Sequence, residues 1–172
     1  KENDADNTPL IDPSEIAAGA IKGYMLKFNL NNTIVFDIEQ ALQTNGDSGP
    51  YLQYTHARIK GIVRKILGDV EFPEFNLKTF EDNIKEEEEL ILLRQLYLFP
   101  EIVERAAKQV NPGVMFNYLI DLSQNFNTFY NKHSLMKAEQ PVQTARLYLI
   151  IATAQVLANG LDLLGIRAPE RM

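Results

Sequence analysis

Apolar residues recur at helical spacing along almost the whole chain, and the breaks between these runs carry recognisable stop and start signals. Asp12-Pro13-Ser14-Glu15 reads as a helix start, with an acidic cap, a proline in the first turn and Glu15 at the capping-box position. Ile16, Ala20, Ile21, Tyr24 and Phe28 then fall on one face. The Asn-rich residues 29–32 end that run. Residues 33–36 read as a short strand or extended segment, and Asp37 as the cap of a short helix through Leu42. Residues 44–50 hold two glycines and a proline and predict a loop, the best place for a boundary.

A second helix is predicted over residues 51–67, with Ile59, Ile62, Val63, Ile66 and Leu67 as its buried stripe and Gly68 as its stop. Residues 69–78 have low helix propensity and predict a loop. From Thr79 the pattern is helical again. Glu86 to Glu89 precede Leu90, Ile91, Leu93, Leu96 and Tyr97, and read as a solvated first turn at the positive end of the helix dipole. Pro100 is expected to break this helix and open another over residues 102–110. Asn111-Pro112 repeats the cap-and-proline start for a long helix to about Lys132. The last long helix spans about residues 141–164, ends at Gly165 and leaves a non-helical tail. The expectation is an all-α bundle of five to six helices. Residues 1–11, rich in Asp and Asn, are expected to be a disordered tail.

Composition removes whole classes of chemistry. The 172 residues include no cysteine and only two histidines, His56 and His133, so thiolate chemistry, disulfides and a Cys- or His-rich metal site are excluded. No apolar run approaches a membrane span. The absence of cysteine fits a reducing, cytoplasmic setting. The formal charge of −6 opposes bulk attraction to nucleic acid, but it is uneven: −5 over residues 1–50, −3 over 51–89 and +2 over 90–172. There is no phosphate-cradling glycine loop and no legible catalytic constellation. His56 reads as a satisfied polar residue on its helix, and His133 as an exposed helix end.

Several strings together are more specific than any periodicity. GPYLQYTHARIKGI (49–62), FPEIVERAA (99–107), YLIDLSQNFNTFYNK (118–132) and ARLYLIIATAQVLANGLDLLGIRAPERM (145–172) resemble, in order, the C-terminal, DALR-type anticodon-binding domain of class I arginyl-tRNA synthetases. The resemblance covers about residues 48–172 strongly. Residues 12–47 are similar to the segment that joins the catalytic core to that domain. The HIGH and KMSKS sequences of class I synthetases do not occur here. The resemblance therefore implies a C-terminal fragment of an arginine–tRNA ligase, inactive alone, with no cofactor of its own. ATP with magnesium would serve the intact, cytoplasmic and monomeric parent.

That resemblance also implies the contacts. Tyr51, Tyr54 and Arg58, at i, i+3 and i+7 of one helix, match positions that shape the anticodon loop. Tyr130 and the terminal Met172 match positions near the middle cytosine and its neighbours. Aromatic faces and planar guanidinium groups are what single-stranded loops are read with. Arg94, Lys132, Arg146 and Arg167 are further phosphate candidates, each equally readable as a solvated charge. The expected partner is arginine-accepting tRNA, with no membrane. The competing readings are a helical protein-interaction module, favoured by the acidic charge, and the related domain of another class I synthetase.

Overall fold

The computed structural model describes residues 9–68 and 72–172. The described residues form seven α-helices and no strand: α1 Pro13–Leu26, α2 Ile38–Ala41, α3 Gly49–Leu67, α4 Leu77–Asn83, α5 Glu87–Lys108, α6 Gly113–Lys132 and α7 Gln140–Leu163. The all-α expectation holds, with one helix more than the upper bound of five to six. Of the tail expected over residues 1–11, residues 1–8 lie outside the described residues, as do residues 69–71 of the expected 69–78 loop. Ile11 is tied down, its N–H donating to the Arg171 carbonyl at 3.2 Å.

The local signals that worked did so through their caps. Asp12 accepts from the Ser14 N–H at 2.8 Å, Asp37 from the Gln40 N–H at 3.0 Å, and the Ser48 hydroxyl from the Tyr51 N–H at 3.1 Å. Residues 33–36 form no paired strand, and the Val35 carbonyl accepts from the Tyr24 hydroxyl at 2.9 Å.

Two signals misled. Pro100 sits inside α5 without ending it. It is exposed, so the Leu96 carbonyl that loses its helical donor can face water. Buried Leu92 and Ile102 anchor α5 on both sides of it. The helix ends eight residues later at Lys108, and Val110, just past the Gln109 cap, takes a positive φ of 48°. The Asn111 N–H returns to the Ala106 carbonyl at 3.0 Å, the closure that Gly165 makes for α7 at φ 63°, with Ile166 N–H on Leu161 O at 2.8 Å. A valine does at α5 what a glycine does at α7, so no glycine marked the end of α5.

The second surprise is the glutamate run. Glu89 is fully buried. Its Oε2 accepts from the Lys85 and Glu86 N–H groups at 2.9 and 3.0 Å, and its Oε1 from Arg146 Nε of α7 at 2.7 Å. Glu88, nearly buried, accepts from Lys132 of α6 and pairs with His133 Nε2 at 2.9 Å. The run is a tie between three helices, not a solvated turn. His133 is accordingly not an exposed helix end.

α7 is the hub, packing on α3, α4, α5 and α6 around Phe116, Phe126, Phe129, Leu149, Ile150 and Leu157, all fully buried. α1 crosses the start of α3 backbone to backbone. A Cβ on Gly49 would run into the Gly19 carbonyl, and one on Gly23 into the Gly49 backbone. Residues 13–26 therefore pack directly on the bundle, and the buried face of α1 is Gly19, Ala20, Gly23 and Tyr24.

Candidate nucleic-acid interface

α3 presents two polar sides with different partners. Each residue advances about 100° around a helix, so Tyr51 and Arg58 share one side, with Tyr54 beside them. Gln53, His56, Lys60 and Arg64 lie roughly opposite.

On the first side, α6 approaches with Asn127 and Tyr130, which its i, i+3 spacing places together. Asn127 Nδ2 donates to the Tyr51 hydroxyl oxygen at 2.8 Å, and Arg58 Nη1 donates to Asn127 Oδ1 at 2.8 Å. The Arg58 guanidinium lies over the Tyr130 ring, 4.7 Å from its centroid. Tyr130 in turn stacks on Phe126, centroids 6.0 Å apart and planes 26° from parallel, and Phe126 is anchored in the core. All four polar members are half-buried. The product is an aromatic and guanidinium platform, backed by core and open on one face. Tyr54, one turn along, is 44% exposed, so its ring is available to a ligand.

On the opposite side the C-terminal tail is laid down along α3. Gln53 Nε2 donates to the Arg167 carbonyl at 2.9 Å, the His56 Nδ1 meets the Pro169 carbonyl at 2.7 Å, and Glu170 pairs with Lys60 at 3.1 Å and Arg64 at 3.8 Å. His56 is buried and satisfied, as its position in the sequence suggested. Burial lowers its pKa, and the Pro169 carbonyl partly opposes that. A carbonyl accepts only, so Nδ1 carries the proton.

The structure thus brings Tyr51, Arg58 and Tyr130 into one cluster, with Tyr54 on its flank. Met172 is half-buried at the end of a tail anchored on the other side of α3. Of the further basic candidates, Lys132 and Arg146 are engaged with Glu88 and Glu89, and Arg167 lies 3.9 Å from Glu15. Arg94 is exposed on α5. Sequence reasoning missed Asn127, although its place three residues before Tyr130 in the NFNTFY string was the available signal.

No described helix is long and apolar enough to cross a membrane, and no group of three or more His, Asp or Glu among the described residues suits a metal ion.

Comparison with known proteins gives a consistent result. The chain is 43% identical over 162 residues to arginine–tRNA ligase of Pyrococcus abyssi, a match that covers 92% of this chain and 25% of that protein. It is 36% identical to the Lactococcus lactis subsp. lactis arginine–tRNA ligase, covering 100% of this chain and 30% of the relative. Its fold matches the arginyl-tRNA synthetase of Thermus thermophilus with a TM-score of 0.82 at 34% identity, over 98% of this chain and 29% of that one. The Plasmodium falciparum arginyl-tRNA synthetase matches at 0.75 and 25% identity, over 92% and 27%. The chain therefore spans between a quarter and a third of the length of these relatives. A family model, the DALR anticodon binding domain, matches residues 52–172, from the second turn of α3 through the tail. That stretch holds Arg58, Asn127 and Tyr130 together with the hub helix α7, and the chain belongs to the DALR anticodon-binding domain family.

Proposed function

We propose that the chain binds the anticodon loop of arginine-accepting tRNA as the anticodon-binding part of an arginine–tRNA ligase. The observation that supports this most is the platform of Tyr51, Asn127, Arg58 and Tyr130, with exposed Tyr54 beside it. Loop bases splay onto aromatic faces, and each stacked base contributes about 1–3 kcal/mol. A guanidinium already held over a ring meets a base or phosphate with its remaining N–H groups at little further ordering cost. Met172 belongs to the proposed site through the resemblance alone.

In this reading residues 12–47 join the bundle to a catalytic part that adenylates arginine with ATP and magnesium and transfers it to the tRNA in the cytoplasm. The bundle does no chemistry. It holds one end of the RNA so that the acceptor end reaches the other domain.

Titration with an arginine-tRNA anticodon stem-loop tests this. Binding should weaken as salt rises, because Arg58 and its neighbours replace counterions. Replacing the middle cytosine should cost about 1–3 kcal/mol. No binding at low salt would contradict the reading.

A further inference from the structure

The hydrogen bonds around Asn127 have only one consistent polarity. Arginine can only donate, so the amide atom facing Arg58 must be the oxygen. The other amide atom, Nδ2, then faces the Tyr51 hydroxyl and donates to it at 2.8 Å. The Tyr51 oxygen is an acceptor in that bond, so its own proton is left over. No described protein acceptor takes it. Arg58 likewise retains N–H groups beyond the one on Asn127. Both groups are half-buried and reachable from outside.

We propose that Asn127 is a positioning residue that sets the Tyr51–Arg58 pair to present hydrogen-bond donors only, so that this part of the site selects a ligand edge made of acceptors. The inference rests on the anticodon-loop reading and adds the chemistry of recognition to it. The N3 and O2 edge of cytosine, the O6 and N7 edge of guanine and the oxygens of a phosphate all present adjacent acceptors, and the anticodon reading singles out the cytosine or a phosphate beside it. Uracil is rejected because it places an N3–H donor where cytosine has an acceptor. Asn127 does not touch the RNA in this account. It acts through Tyr51 and Arg58.

The sharpest variant is Asn127→Asp, equal in shape and reversed in polarity. A carboxylate accepts from both neighbours, so Arg58 stays in place while Tyr51 turns its proton inward and offers the ligand lone pairs. The added negative charge weakens all RNA binding, so the informative quantity is a ratio: the Kd for a uridine-substituted stem-loop over that for the cytosine stem-loop. The unaltered chain should favour cytosine by about tenfold or more. Tyr51→Phe should remove most of that preference. Asn127→Asp should bring the ratio to within about threefold, and adding Tyr51→Phe to it should change the ratio no further. Helix content by circular dichroism identifies any variant that has failed to fold, and Tyr51→Phe alone still decides the polarity if Asn127→Asp does.

If the unaltered chain is indifferent to cytosine and uridine but loses affinity on a single neutral methylphosphonate substitution in the loop, phosphate is the acceptor. Tyr51→Phe must then reduce that loss. An unchanged preference in both folded variants, base or phosphate, would overturn the inference while leaving the anticodon reading intact. Failure of the unaltered chain to bind either stem-loop would overturn both.

Discussion

Two polar clusters tie helices together in this bundle, and they differ in what they leave unused. Around Glu88 and Glu89 the carboxylates bind α5 to α6 and α7. Glu89 is fully buried, and each of its oxygens has a partner within the protein. Around Asn127 the groups also bridge two helices, α3 and α6, but all are half-buried, and Tyr51 and Arg58 keep donors that no described residue satisfies. The Glu89 part of the first cluster is closed on itself and contributes stability. The second is held rigid from behind and open in front, which is the arrangement a binding surface requires. Both hold their charged groups against neighbouring helices, so the number of polar contacts does not separate them. The number of contacts still available does.

The comparison predicts that damage to the two clusters appears in different measurements. The largest effect belongs to Glu89→Ala, which leaves the largely covered Arg146 without its partner and uncaps α5. Chemical denaturation should show a loss of about 3–5 kcal/mol. A loss below about 1 kcal/mol would mean that the cluster is not the tie its geometry suggests. Next comes Tyr130→Ala, expected to weaken stem-loop binding by about 1–3 kcal/mol while the stacked Phe126 stays in the core. Arg58→Lys keeps the charge but not the planar fork, so a similar salt dependence with weaker affinity is expected. An unchanged affinity would assign Arg58 a purely electrostatic part.

Smaller effects follow from pH. Lys132 and His133 together hold the Glu88 carboxyl down to about 2, against 4.5 for a free glutamate. Its folded pKa is depressed, so its contribution to stability is complete above about pH 4.5 and is lost as the pH falls toward about 2. Glu88→Gln should flatten the stability profile in that window. His56 is depressed from 6.5 by burial, so its contribution is complete above pH 6.5 and declines as the pH falls below that value. Replacing His56 with Gln should remove the dependence in that upper window and leave the lower one alone.

How much of this was legible in the sequence depended on whether the signal was local. Caps at Asp12, Asp37 and Gly165 are one-turn devices, and the helix starts and stops they mark lie where the sequence places them, whereas α3 starts at Gly49, inside the residues 44–50 read as a loop. Pro100 misled because its effect depends on which way the helix faces, and a proline toward solvent can be accommodated. Glu88 and Glu89 misled for the same reason: four adjacent glutamates look solvated until α6 and α7 bring Lys132, His133 and Arg146 to two of them. Tyr51 and Arg58 were legible as one face of α3. That Tyr130 completes the face, and that Asn127 joins the two helices, requires knowing how α6 packs on α3.

The most direct test of the account is a pair of curves for Tyr130→Ala and Glu89→Ala: denaturation of the chain alone and titration with the arginine-tRNA anticodon stem-loop. Glu89→Ala is expected to lower stability most, and to bind nearly normally where it remains folded. Tyr130→Ala should lose about 5- to 150-fold in affinity with a smaller change in stability. Equal stem-loop affinity for Tyr130→Ala and the unaltered chain would contradict it.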